Sequence, residues 1–111
     1  MKDIDTYQQM SADSRLYKGE IKHAVVYPAF GLAGEVGEFH DKLKKIFRDK
    51  RGRISDDDRR DLELELGDIV WYVAVCAEVL GLKMSDILEA NLRKCAGRRQ
   101  RGTVGGSGDD R

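Results

Sequence analysis

The stretch SDDDRRDLELELGDIVWYVAVCAEVLG, residues 55–81, decides the fold. Ser55 is followed three residues later by Asp58, a spacing in which each side chain accepts the other residue's backbone N–H and caps a helix start. The aspartates 56, 57 and 58 place negative charge at the positive end of the helix dipole. Gly81 supplies the stop, so the helix should run to about residue 80. From Ile69 onward it is apolar nearly all round, the pattern of a helix at the centre of a bundle.

Upstream, a second helix should begin near Pro28, which suits a first turn. Its apolar stripe is Leu32, Val36, Phe39, Leu43, Ile46 and Phe47, at helical spacing. Residues 50–53, with Gly52 in a basic cluster, read as the loop between the two helices. A helix over about residues 4–17 precedes them, and residues 18–27 show no clear period. Downstream, Ser85 should cap a last helix whose buried stripe is Met84, Leu88, Asn91, Leu92 and Cys95. The composition favours helices over strands throughout, and proline occurs once. The expectation is therefore an all-α, four-helix bundle-like protomer over residues 1–101, with a flexible glycine-rich tail over 102–111.

With 111 residues and 41% hydrophobic content the chain has room for one domain. A chain this short buries a modest share of its surface, so an oligomer is expected. Lys plus Arg and Asp plus Glu each number 20, which leaves no overall field for a polyanion and makes nucleic acid an unexpected partner. Cys76 and Cys95 read as reduced thiols. No secretion signal opens the sequence. The longest apolar run, residues 69–77, falls far short of the roughly 20 residues that span a bilayer. A cytoplasmic protein without a membrane segment is expected.

Two acid pairs carry the chemistry. Glu35 and Glu38 stand three residues apart on the second helix, and Glu65 and Asp68 repeat the interval on the third. Residues so spaced share a helix side, and both pairs border apolar stripes, where an ionised carboxylate needs a partner. If the two helices pack antiparallel, four acids converge, and their repulsion raises pKa values unless cations intervene. Oxygen ligands without cysteine or suitably spaced histidine select a hard ion, Mg²⁺ or Mn²⁺. A di-iron bundle would need a Glu-x-x-His pair, and Asp68 stands where that histidine would be. Gly34, Gly37 and Gly67 lie inside these helices, where glycine is unfavourable unless a helix or ligand approaches closely. Tyr72, one turn after Asp68 on the acid face, is placed to stack on a base.

The segments YPAFGLAGEVGEFHDKLKKIFRDK, LELELGDIVWYVAVCAEVLG and EANLRKCAGRRQRGTVGGSGDDR resemble the MazG-like family in order and spacing, over residues 27–111. Its E-x-x-E and E-x-x-D elements match Glu35 with Glu38 and Glu65 with Asp68. The resemblance implies an α-helical enzyme, a homodimer or homotetramer, that hydrolyses a nucleoside triphosphate to the monophosphate and pyrophosphate. Mg²⁺ at the four acids would activate water for attack at the α-phosphorus. It also implies substrate contacts from an N-x-x-K element, matched by Asn91 and Lys94, phosphate contacts matched by Arg98 and Arg101, and, because it extends into GSGDDR, a tail that folds over a site or a neighbouring subunit as the alternative to a disordered one. The chain departs in having Cys95 and Gly97 where the family often has leucine and a helix former.

From the residues alone, alternatives stay open. The cluster Arg93, Lys94, Arg98, Arg99 and Arg101 fits a triphosphate track, a nucleic-acid contact, or a solvated helix end. Asn91 on an apolar stripe fits either nucleoside recognition or a buried structural bond. Lys42 and Lys45 flank Glu38 and read as ordinary intrahelical ion pairs. His23 and His40 lack partners at metal spacing, and His40 reads as packing, as does Trp71. The rival to an enzyme is a non-catalytic, metal-stabilised helical oligomer that binds nucleic acid or a protein through its basic C-terminal segment.

Overall fold

A computed structural model describes residues 3–15 and 24–111; His23 and the expected end of the first helix lie outside them. Four helices run through the described residues, with no strand among them: α1 (Ile4–Ser14), α2 (Val26–Lys50), α3 (Asp56–Val79) and α4 (Met84–Arg101). This is the all-α, bundle-like protomer the sequence implies. No described helix is long and apolar enough to cross a membrane.

The start of α3 is built as its sequence dictates. Asp58 N–H donates to Ser55 Oγ at 3.1 Å and Ser55 N–H to Asp58 Oδ2 at 2.9 Å. Lys50, the last residue of α2, adds its ammonium to both oxygens of Asp58 at 2.8 and 2.9 Å. These contacts, led by Lys50, hold the Asp58 carboxyl down at about 2. The same aspartate thus caps α3 and ties it to the end of α2. Between them Arg51 and Gly52 turn the chain with φ of 53° and 77°, a left-handed conformation that glycine adopts without penalty.

At its far end α3 is the centre of the molecule. Ala74 and Ala77, three residues apart, let α1 and the first turn of α4 come close, and they pack with Met84, Ile4, Tyr7, Val73 and Ile87. On the adjoining side Val75 and Val79 pack with Ala24, Val25 and Trp71, so Trp71 does join the core margin as expected.

Helix α2 begins at Val26 and holds Pro28 in its first turn, as expected, because a first turn has no N–H to lose to proline. Other expectations need correction. Ser85 is not the cap of α4. The capping position is Lys83, and the caps come from α1: Met84 N–H donates to Gln8 Oε1 at 2.9 Å, and Ser85 donates its N–H and hydroxyl to Asp5 at 3.0 and 2.8 Å. Gln8, buried, also donates its amide to the Leu82 carbonyl at 2.7 Å. Helix α4 runs unbroken through Gly97 to a left-handed stop at Gly102.

The expected buried stripe of α4 is buried only at Met84; Leu88, Asn91, Leu92 and Cys95 are exposed, Leu92 at 69%. Phe47 and His40 are exposed as well, the latter beside the Phe39 ring at 6.2 Å. Periodicity marks an apolar face correctly but does not say that the face is covered within one chain.

The Gln8 clamp spans more than seventy residues, so its loss should be felt globally. Gln8→Ala should lower the unfolding free energy by about 2 kcal/mol, the scale of leaving buried backbone groups unpaired. Urea unfolding followed by circular dichroism checks this, and an unchanged midpoint would contradict it.

Candidate metal centre

Three pairings set the register of α2 against α3. Lys50 meets Asp58, Lys42 meets Glu65, and Gly31 lies against Tyr72. As one number falls the other rises, so the helices are antiparallel. A side chain at Gly31 would run into the Tyr72 ring, which is why α2 carries glycine there. Gly34, Gly37 and Gly67 are different: an added methyl at any of them meets nothing among the described residues, so close approach of a described helix does not explain them.

In that register the acids come together. One oxygen from each of Glu35, Glu38 and Glu65 lies within 4.8 Å of the other two. Asp68, the fourth expected acid, stands outside this focus and is exposed, but near enough for its charge to act on Glu35. Burial first, then the charges of Glu38, Asp68 and Glu65, push the Glu35 carboxyl above the usual range. Glu65 is the buried member, 7% exposed. Its Oε1 accepts from Lys42 Nζ at 2.6 Å, whereas its Oε2 is buried without a partner. A buried carboxylate oxygen with no donor is costly, and three carboxylates offering oxygen only are the ligand set of a hard divalent ion. The residues fit such an ion.

Lys42 and Lys45 are both ion-paired, Lys45 within its own helix as expected and Lys42 not. Lys42 crosses to α3 instead of serving Glu38, and Lys45 pairs with Asp41 at 2.8 Å. Tyr72 sits on the acid face as expected: burial first, then Tyr27, Glu35 and Asp68, raise its hydroxyl, and its ring meets Trp71 edge-on at 4.9 Å.

The α4 candidates form a second group. Asn91 is exposed and accepts from the Cys95 thiol at 3.8 Å, so the buried structural bond does not form. Lys94 and Arg98 both reach Asp109 Oδ1 at 3.1 Å, and Arg98 also donates to the carbonyls of Gly108 and Asp109. Arg101 donates to the carbonyl of Arg111 at 2.6 Å. Arg111 in turn donates to the carbonyls of Thr103, Val104 and Gly108. The tail therefore doubles back on α4, and an aspartate occupies the two cations that the resemblance assigns to substrate. The resemblance that extends into GSGDDR implies a folded-over tail, but nothing in the residues assigned Asp109 or Arg111 this role; the two adjacent acids of the tail after a basic helix end were the available signal.

The raised Glu35 carboxyl has a consequence for stability. A carboxyl whose pKa rises on folding stabilises the fold below its unfolded value, and that contribution is lost as pH climbs through the folded value. Without divalent ions, wild-type melting temperature should therefore fall relative to Glu35→Gln as pH rises above the ordinary glutamate range. The variant should be the more stable at neutral pH; equal profiles by scanning calorimetry would contradict it.

Comparison with known proteins agrees with this architecture. The MazG nucleotide pyrophosphohydrolase domain matches residues 29–103, which take in nearly all of α2 and the whole of α3 and α4. The Gene 37 protein of Mycobacterium phage L5 is 42% identical over 112 residues, covering 97% of this chain and 98% of the phage protein. No solved structure matches. A domain match over most of the sequence, falling on the two helices that bring the acid pairs together, establishes that the chain belongs to the MazG nucleotide pyrophosphohydrolase family.

Proposed function

We propose that the chain hydrolyses nucleoside triphosphates, ribo- or deoxyribo-, to the monophosphate and pyrophosphate with the help of Mg²⁺, for which Mn²⁺ can substitute. The observation that carries this reading is the convergence of Glu35, Glu38 and Glu65, the last of them buried with one carboxylate oxygen unpartnered. These three acids hold the ion, and Asp68, one turn along α3 from Glu65, joins them from the solvent side. When bound, the ion supplies positive charge for the triphosphate oxygens and acidifies a water. The water attacks the α-phosphorus and pyrophosphate leaves.

The remaining groups bind and orient. Tyr72 offers a ring face on the acid side to a base. Lys94, Arg98 and Arg101 supply phosphate contacts when the tail gives them up, and Asn91, free of any buried bond, offers its amide to the nucleoside. These α4 groups find their partners in α4 and the tail, so bringing them to the acids calls for a rearrangement or for a second subunit.

A homodimer or homotetramer fits the protomer's shape. Its radius of gyration is 16.9 Å, where a compact chain of this length has about 13 Å. Its accessible surface is 8283 Å², against about 6,200 Å² expected for its mass. For two chains the excess is about 4,000 Å², the scale that permanent homodimers bury. Leu64, Leu66, Val70 and Leu92 contribute to that uncovered surface.

Purified protein given Mg²⁺ and a panel of nucleoside triphosphates should release pyrophosphate; orthophosphate alone would overturn the proposed bond cleavage. Glu38→Gln and Asp68→Asn should each lose more than about 100-fold in turnover, beyond the effect of removing a second-layer partner of a metal ligand, with an unchanged circular dichroism spectrum. Near-normal turnover in either would remove that residue from the metal site.

A further inference from the structure

Lys42 is ion-paired with one of the three clustered acids. Its ammonium bridges from α2 to Glu65 Oε1 at 2.6 Å, on the residue that also supplies an oxygen to the three-acid focus. Glu65 is the acid least able to stand unpaired, because it is buried between the helices. One ammonium quiets it only in part: Oε1 is paired and Oε2 is not. Lys42 itself is held loosely, with its side chain 37% exposed on a flexible four-carbon stem. Beside it, between the end of α2 and the start of α3, opens a cleft of about 230 Å³, lined by Lys42, Lys45, Asp49, Lys50, Asp58 and Asp61 among others. The stem thus has solvent-filled space to move into.

We propose that Lys42 is the resident counter-ion of the acid cluster in the metal-free protein, and that a divalent ion entering the cluster displaces it from Glu65. The inference rests on the reading of the cluster as a divalent-ion site. Lys42 is a positioning residue: it holds Glu65 aimed across the helix pair before the ion arrives, and it sets the affinity by competition. Binding of the ion and release of the ammonium into the cleft are one exchange. Lys45 has no such part, since its ammonium is engaged by Asp41 on its own helix.

Stepwise addition of Mn²⁺ to the metal-free full chain, with the unbound ion followed by electron paramagnetic resonance, tests the exchange. Lys42→Met should bind Mn²⁺ about tenfold more tightly than wild type, the equivalent of about 1.4 kcal/mol. Lys42→Arg should stay near wild type, and Lys45→Met, which removes the same charge one turn away, should leave the affinity unchanged. The melting temperature of Lys42→Met should drop without metal and recover with Mn²⁺. Lys42→Gln, which keeps a donor for Glu65, serves if the methionine variant does not fold. Unchanged or weaker affinity in the folded Lys42 variants overturns the proposal, as does equal tightening in Lys45→Met. A wild-type protein that takes up no Mn²⁺ sinks the metal reading itself.

Discussion

A carboxylate buried between two helices is the constraint around which this molecule is arranged. Glu65 faces α2 from the middle of α3, and taking such a charge out of water is affordable to the fold only with a cation beside it. Everything that fixes the α2–α3 hairpin therefore also fixes the site. The reciprocal cap of Ser55 and Asp58, the Lys50 bridge and the seat of Tyr72 against Gly31 lie at the two ends of the helix pair, with the acids between them. A slip of the register would move Glu65 away from Glu35 and Glu38.

Stability and function oppose each other here. Apolar burial by Val75, Val79, Ala74 and Ala77 holds the far end of α3, whereas the acid end gathers like charges that repel. Such a site is a local weakness that the rest of the fold tolerates, which is the usual relation between an active constellation and its scaffold. The Lys42 ammonium reduces the weakness without removing it.

How much of this was legible depended on whether the cause was local. The cap at Ser55, the stop at Gly81 and the shared face of Glu35 and Glu38 follow from spacings of three or four residues along one helix, and they are present in the structure. Causes that cross the chain left no such trace. Asp5 and Gln8 cap a helix some eighty residues away, where only Ser85 looked suitable from nearby. Lys42 looked like a partner for Glu38 because its true partner is on another helix. The glycine that mattered for helix approach was Gly31, visible only once Tyr72 had been placed. The apolar stripe of α4 was read correctly as a stripe and wrongly as buried, since 3.6-residue periodicity is the same whether the covering surface belongs to the same chain or to another.

On the proposed reading both halves of the site carry internal substitutes for their ligands. Lys42 is paired with Glu65 of the acid cluster, and Asp109 holds Lys94 and Arg98, the proposed phosphate contacts. Anomalous scattering from crystals soaked in Mn²⁺ reads the acid cluster directly. The expected result is a peak between Glu35, Glu38 and Glu65, with the Lys42 ammonium withdrawn from Glu65. Crystals saturated with Mn²⁺ that show no peak there, and the Lys42 to Glu65 pair still closed, would contradict it.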